Sequence, residues 1–219
     1  MDAFPTAHRA HPSIVGFSYL LPTCAGRLVS KELKALNRIL NVSKAPFTTV
    51  LGGAKVSDRL EAIDTLIANK RADKVLLCGL IANVFLKAAR KIDYDIGVDK
   101  EEKMVERAST LMADYPDTFE LPMDVAVARS EERVEVPISE LKKGDKVFDI
   151  GSKTIDHYSR IIRSSGTIFM SGPCFVIRPD LRDTNKLHIW LQSYSIGNPS
   201  SNDTISVNSN INHLRCFLS

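Results

Sequence analysis

Short apolar runs that end in glycine alternate with helical segments through the middle of the chain, and this pattern constrains the fold most. Phe47–Leu51 leads into Gly52 and Gly53, and residues 74–78 lead into Gly79. After each glycine, apolar residues return every three or four positions, which is the period of a helix packed on one face. The alternation predicts an α/β fold in which a parallel sheet carries helices on both faces.

The same pattern predicts the remaining elements. Further strands are expected over residues 119–128, 146–150 and 167–170, the last two followed by Gly151 and by Gly172. Ser152 is a candidate N-cap for the helix that follows Gly151, since serine often caps a first helical turn. Ahead of the sheet, Ser30 is expected to open a helix that runs to about Leu40.

Charge, hydropathy and cysteine usage exclude several classes of protein. The chain has 29 basic and 26 acidic residues, a net charge of +3, whereas nucleic-acid binders usually show a stronger, clustered basic excess. No apolar run approaches the roughly 20 residues that a membrane-spanning helix needs. Its four cysteines are scattered without a CxxC pair, which indicates reduced thiols and no zinc site. We therefore expect a cytoplasmic protein without nucleic-acid, membrane or protein-bound metal partners.

The first strand end carries the clearest signal for a binding site. Ligands of open parallel sheets lie beyond the carboxyl ends of the strands, and a helix that starts there offers free N–H groups to phosphate. Lys55 and Arg59 follow Gly52 and Gly53 and, being four apart, are expected on one helix face. Two cations there suit phosphoryl transfer, which needs charge neutralised on the phosphoryl oxygens. A routine turn with a solvated lysine is the alternative, and neither the P-loop nor the dinucleotide fingerprint is present.

Two other positions leave alternatives open. Asp149 is either a metal ligand or, as is commoner at a strand end, a cap of the following turn. His8 and His11 flank Arg9, a pattern that suggests a weak metal site, an anionic small-molecule site or simply a solvated surface.

Six segments, in order, resemble motifs of phosphoglycerate kinase, particularly of its archaeal branch. They are MDAFPTAHRAHPS (1–13), LGGAKVSD (51–58), GLIANVFL (79–86), LPMDV (121–125), DIGSKT (149–154) and SGP (171–173). The resemblance implies a Rossmann-like, three-layer parallel sheet, here incomplete at its C-terminal end. In that family two lobes joined by a helix hold phosphoglycerate and Mg²⁺-bound ADP or ATP, and a phosphoryl group passes between an acyl phosphate and ADP.

The resemblance also assigns roles to residues. It places Arg9 on 3-phosphoglycerate, and it places Lys55 and Arg59 on the nucleotide phosphates and the transferring group as the catalytic pair. Arg59 stands where the family often has lysine. The remaining nucleotide contacts that it implies are Gly52, Gly53, Ala54, Gly79, Val147, Phe148, Pro173 and Val176.

The resemblance further implies a division of the chain. Residues 1–27 are expected to be a remnant of the phosphoglycerate lobe, 28–43 the interlobe helix, and 44–180 part of the nucleotide lobe. Residues 181–219 depart from the family, and eleven of the twenty positions from 193 to 212 are serine or asparagine, so we expect an irregular or disordered tail.

Several motif positions depart from the family pattern. Ser152 replaces a proline, Phe175 a glycine and Arg178 a ribose-binding glutamate, and the glycine-rich loop that helps hold Mg²⁺ has no counterpart. We therefore expect negligible turnover by the isolated chain. Two alternatives remain: a non-catalytic nucleotide-binding module, and an assembly fragment whose protein partner completes the sheet.

Overall fold

A computed structural model describes residues 1–7, 9–41, 44–53, 55–68, 72–92, 96–129, 132–145, 147–172 and 205–208. Of these, residues 1–43 and residue 208 belong to one compact unit, and those between 44 and 207 belong to a second. The strands are β1 (Phe47–Leu51), β2 (Lys74–Leu77), β3 (Phe119–Glu120), β4 (Asp124–Arg129), β5 (Glu132–Pro137), β6 (Val147–Ile150), β7 (Thr167–Ser171) and β8 (Ile205–Asn208). The α-helices are α1 (Pro12–Val15), α2 (Arg27–Asn41), α3 (Val56–Ala68), α4 (Gly79–Ala88), α5 (Glu101–Asp114) and α6 (Ser152–Arg163).

A sheet with the strand order β3–β2–β1–β7–β8 forms the centre of the second unit. β1 pairs in parallel with β2 on one side and with β7 on the other, and β2 pairs in parallel with β3. All five residues of β1 are buried, as expected for a strand covered on both faces.

Helices cover the two faces of this sheet. On one face, Leu51 and Leu77 pack with apolar side chains of α3, α4 and α5. On the other face, Val50 and Leu76 pack with Tyr158 and other apolar side chains of α6. Successive residues of each strand thus enter opposite cores, because side chains alternate across a strand. The predicted parallel sheet with helices on both faces is confirmed.

A second, antiparallel sheet was not expected from the sequence. Its strand order is β5–β4–β6, and both neighbours run antiparallel to β4. The expected single strand over residues 119–128 is divided at Pro122: β3 completes the parallel sheet, and β4 begins the antiparallel one. Because β6 belongs to this second sheet, Gly151 does not end a parallel strand, contrary to the sequence-based prediction. Leu86 of α4 packs with Val127 and Val136 in a third core here.

In the first unit, α2 begins at Arg27, three residues before the predicted start at Ser30. The Asp2 carboxylate explains the earlier start, because its Oδ1 accepts the Val29 N–H at 2.9 Å. A Cβ on Gly26 would lie 2.3 Å from the Asp2 carboxyl carbon, so glycine permits the contact.

Apart from β8, the tail from residue 181 lies outside the described residues. The prediction that this tail is irregular or disordered concerns those residues and stays a prediction. Among the helices that the structure describes, none combines the length and apolar character required to cross a membrane.

Candidate functional site

The carboxyl ends of β1, β2 and β7 meet at one edge of the parallel sheet. The Gly52 N–H donates to the Ser171 carbonyl at 2.9 Å, and the Cys78 N–H donates to the Leu51 carbonyl at 2.9 Å. Three strand-to-turn junctions therefore lie side by side, with β1 in the middle. This is the edge at which open α/β sheets bind ligands.

Glycine is required where the β1 and β7 turns touch. Gly172 has a φ of +83°, and a Cβ there would lie 2.3 Å from the Gly52 carbonyl oxygen. Gly53 also has a positive φ, of +100°. Because these buried positions carry no side chains, the β1 and β7 turns pack directly backbone against backbone.

The two cations that follow β1 occupy different environments. α3 begins at Val56, so Lys55 immediately precedes the helix and its side chain is exposed. Arg59 lies one turn inside the helix and is only 6% exposed. Arg59 Nη1 donates to Ser171 Oγ at 2.6 Å, and the Arg59 Nε has no hydrogen-bond partner among the described residues. The guanidinium is thus held against the end of β7.

Burial is the main electrostatic influence on Arg59. It lowers the pKa of the guanidinium from its ordinary value, and the nearby Asp58 carboxylate acts in the opposite direction. An arginine remains protonated in proteins despite such a shift. Its hydrogen-bonded partner Ser171 is uncharged, so that contact does not form an ion pair that would offset the desolvation of the cation.

A protein carboxylate already fills the N-terminus of α6. Asp124 accepts the Thr154 N–H at 2.8 Å and the Lys153 N–H at 3.0 Å. Ser152 was expected to cap this helix, and that prediction is wrong: the N-cap is Gly151, and Ser152 Oγ donates to Glu135 Oε2 at 2.5 Å. The capping bonds come from Asp124, which lies in β4.

Asp149, the other acidic candidate, interacts within the antiparallel sheet. Its Oδ1 accepts the Ile150 N–H at 2.8 Å, and its Oδ2 lies 4.0 Å from Arg133 Nη2. Over the ranges that the structure describes, histidine, cysteine and carboxylate side chains form no group of three or more suited to a metal ion.

Comparison with known proteins identifies the family. The family model described as phosphoglycerate kinase matches residues 1–182. The chain belongs to the phosphoglycerate kinase family. The phosphoglycerate kinase of Methanocorpusculum labreanum is 40% identical over 183 residues, which cover 80% of this chain and 44% of that protein. Phosphoglycerate kinase 2 of Methanosarcina acetivorans is 42% identical over 181 residues, with the same two shares. The resemblance to archaeal phosphoglycerate kinases is confirmed.

A solved structure agrees with this family assignment. The crystal structure of phosphoglycerate kinase from Pyrococcus horikoshii matches with a TM-score of 0.74 at 32% identity. The match covers 92% of this chain and 51% of the Pyrococcus chain. The chain spans less than half the length of the curated phosphoglycerate kinases that it matches.

The structure brings together only some of the residues that the family resemblance singled out. Gly52, Gly53, Gly79 and Arg59 belong to the junctions at the parallel edge. Arg9 belongs to the first unit, where it is exposed and its N–H donates to the Thr6 carbonyl at 2.9 Å. Ala54, Pro173, Val176 and the side chain of Phe148 lie outside the described residues.

Val147 lies in the antiparallel sheet, whereas its predicted role is to contact a nucleotide base. It is half-buried, packs against the core of the antiparallel sheet and pairs with Val127 in β4. Its role beside a nucleotide base stays a prediction.

Sequence reasoning gave Ser171 no role, although the SGP segment that contains it had been recognised. Ser171 is 2% exposed, and its hydroxyl accepts a hydrogen bond from Arg59. A polar residue at the end of a buried strand, directly before a glycine, was the signal that could have identified it.

Proposed function

We propose that the edge formed by β1, β2 and β7 binds the phosphates of ADP or ATP, as the nucleotide-binding part of a phosphoglycerate kinase. The observation that carries this proposal is the buried Arg59 guanidinium, fixed beside two touching glycine turns. A cation in a poorly hydrated place interacts strongly with phosphate oxygens, because little solvent screens the attraction. The family-level reaction is phosphoryl transfer between 1,3-bisphosphoglycerate and ADP, a step of glycolysis in the cytoplasm.

Each predicted residue has a part in this proposal. Arg59 and Lys55 neutralise the phosphates and the transferring group, Lys55 from the solvent side. The backbone at Gly52, Gly53, Ala54 and Gly79 contacts the nucleotide. Val147 and Phe148 contact the base, and Pro173 and Val176 complete the pocket. Arg9 contacts 3-phosphoglycerate.

In this proposal Mg²⁺ would arrive with the nucleotide and bind mainly through its phosphates, as it commonly does. When bound, the metal would supply charge neutralisation at those phosphates. Negligible turnover by this chain alone stays a prediction.

Titration calorimetry of the chain with MgADP tests the proposed site. Replacing Lys55 with alanine removes a charged contact, and such contacts contribute about 1.5–3 kcal/mol. We expect wild-type binding in the titration and at least about ten-fold weaker binding by Lys55→Ala, since a factor of ten corresponds to about 1.4 kcal/mol. Lys103→Ala is the matched control, because Lys103 is also exposed but lies in α5. Absent wild-type binding, or equal affinities of wild type and Lys55→Ala, would contradict the proposal.

One observation favours a protein partner as a second candidate, at a surface of the first unit; completion of the sheet by such a partner stays a prediction. In the first unit, large apolar side chains between residues 15 and 21 are exposed, among them Tyr19 at 86% and Leu20 at 78%. Clustered exposure of this kind is characteristic of surfaces that contact another protein. A protein partner is compatible with nucleotide binding at the parallel edge, so the two candidates do not exclude each other.

A further inference from the structure

The contact between Arg59 and Ser171 joins two elements that are far apart in the sequence. The two residues are 112 positions apart, and Arg59 Nη1 donates to Ser171 Oγ at 2.6 Å. Both residues are almost fully buried, at 6% and 2% exposure. A bond this short from a charged donor is among the stronger hydrogen bonds of proteins.

This bond is the one directional contact that the described residues provide for the guanidinium. The Arg59 Nε has no partner among them, and Nη2 lies 3.1 Å from the point where a Cβ on Gly172 would stand. An arginine side chain has about 2 kcal/mol of rotamer entropy to lose when its orientation is fixed. Without the serine hydroxyl, packing alone would determine where the cation points.

The backbone that carries this hydroxyl is itself fixed by the sheet. Ser171 is the last residue of β7 and stands in register with Leu51, while its carbonyl accepts the Gly52 N–H at 2.9 Å. The Ser171 Cα is therefore held by the same ladder that places the β1 turn. With the Cα fixed in this way, only rotation about the Cα–Cβ bond of Ser171 can move its hydroxyl, and the Arg59 hydrogen bond opposes that rotation.

We propose that Ser171 is a positioning residue that orients the Arg59 guanidinium toward the nucleotide phosphates. This inference rests on the proposed function, because it assumes that phosphate binds at the parallel edge. Ser171 acts through Arg59, so its loss should weaken phosphate binding only while Arg59 is present. A purely structural serine would lower stability without this dependence.

The test is a double-mutant cycle read by MgADP titration. We expect Ser171→Ala to lower MgADP affinity about five- to ten-fold in the wild-type background. In the Arg59→Ala background, the same replacement should leave the remaining affinity unchanged within about two-fold. Ser171→Thr keeps a hydroxyl and should bind MgADP within about two-fold of wild type.

Ser165→Ala is the matched control. Ser165 Oγ and Thr48 Oγ1 form a hydrogen bond of 2.7 Å. Ser165 precedes β7 and Thr48 lies near the start of β1, so this bond is at the end of the strands opposite the glycine turns. We expect Ser165→Ala to bind MgADP like wild type, even where its melting temperature falls as far as that of Ser171→Ala.

Three outcomes would overturn the inference while leaving the proposed function intact. They are wild-type affinity of Ser171→Ala, an equal loss in the Arg59→Ala background, and an equal loss in Ser165→Ala. If Ser171→Ala does not fold, Ser171→Thr decides: wild-type-like affinity supports the inference, and a ten-fold loss contradicts it. A wild-type chain that does not bind MgADP contradicts the proposed function and, with it, this inference.

Discussion

Gly172 determines how closely the turns after β1 and β7 approach each other. Its φ of +83° places it in the left-handed region, and a Cβ would lie 2.3 Å from the Gly52 carbonyl oxygen. The nearest atoms to that Cβ belong to the backbone of Gly52, so no side-chain rotation can relieve the clash. Conformation and lack of space thus act together at this residue.

Replacing Gly172 with alanine should therefore lower the free energy of unfolding by about 3 kcal/mol. Left-handed backbone accounts for about 1–2 kcal/mol of this, and displacement of the β1 turn for the rest. Gly144→Ala separates the two effects, because Gly144 has a φ of +99° with nothing within 4 Å of its added Cβ. Urea unfolding should show a loss of only about 1–2 kcal/mol for Gly144→Ala. Equal losses in the two variants would refute the role assigned to the Gly52 contact.

At the scale of elements, α6 is anchored by a carboxylate from β4. Asp124 is 4% exposed, bonds the N–H groups of Lys153 and Thr154, and accepts the Thr154 hydroxyl at 2.6 Å. Gly151 has no room for a side chain here, since its Cβ would lie 2.3 Å from the Asp124 carboxyl carbon. One acidic residue thus joins the antiparallel sheet to the helix that covers the parallel one.

Asp124→Ala should destabilise the protein by about 2–3 kcal/mol. A lost helix cap accounts for about 1 kcal/mol, and the buried donors left without a partner account for the remainder. Ser152→Ala removes one hydroxyl bond to Glu135 from the same turn and leaves the cap, so it should lower the stability by about 1 kcal/mol. Thermal and urea unfolding measure both. An effect of Ser152→Ala as large as that of Asp124→Ala would show that the cap is not the main contribution.

Local sequence patterns predicted the strands and helices whose own residues carry a clear apolar period. β1 and β2 are short runs rich in apolar and β-branched residues and are buried on both faces. α3 begins at Val56, three residues after Gly53, and α4 begins at Gly79. The antiparallel sheet was not predicted, because its pairing depends on the reversal of the chain between Arg129 and Glu132. Neither strand's own residues encode that reversal.

Contacts between residues far apart in the sequence also could not be predicted from local patterns. The bonds from Asp2 to α2 and from Asp124 to α6 join residues 27 and 30 positions apart, and each changes where a helix begins or how it is capped. At the candidate site the glycine edge was predicted from strand ends. The partner of Arg59 was not, since it lies 112 residues away.

At the scale of the whole molecule, the two units differ in how well they cover their apolar side chains. The second unit encloses three apolar cores around its two sheets. The first unit has a run of exposed apolar side chains, which consists of Val15, Phe17, Tyr19, Leu20 and Leu21. Since burying one large apolar side chain contributes about 1.5–3 kcal/mol, this surface should favour association.

In a purified sample the available partner is another copy of the chain, so we expect the mass measured by sedimentation equilibrium to rise with protein concentration. Tyr19→Ser removes the most exposed aromatic side chain among the described residues and should weaken self-association about ten-fold, the equivalent of about 1.4 kcal/mol. Tyr115→Ser is the matched control, because Tyr115 is 40% exposed in the second unit and lies outside the apolar run. It should associate like wild type. A chain that stays monomeric at every concentration, or equal weakening by the two replacements, would contradict an associating surface at residues 15–21 and remove the support for the assembly alternative.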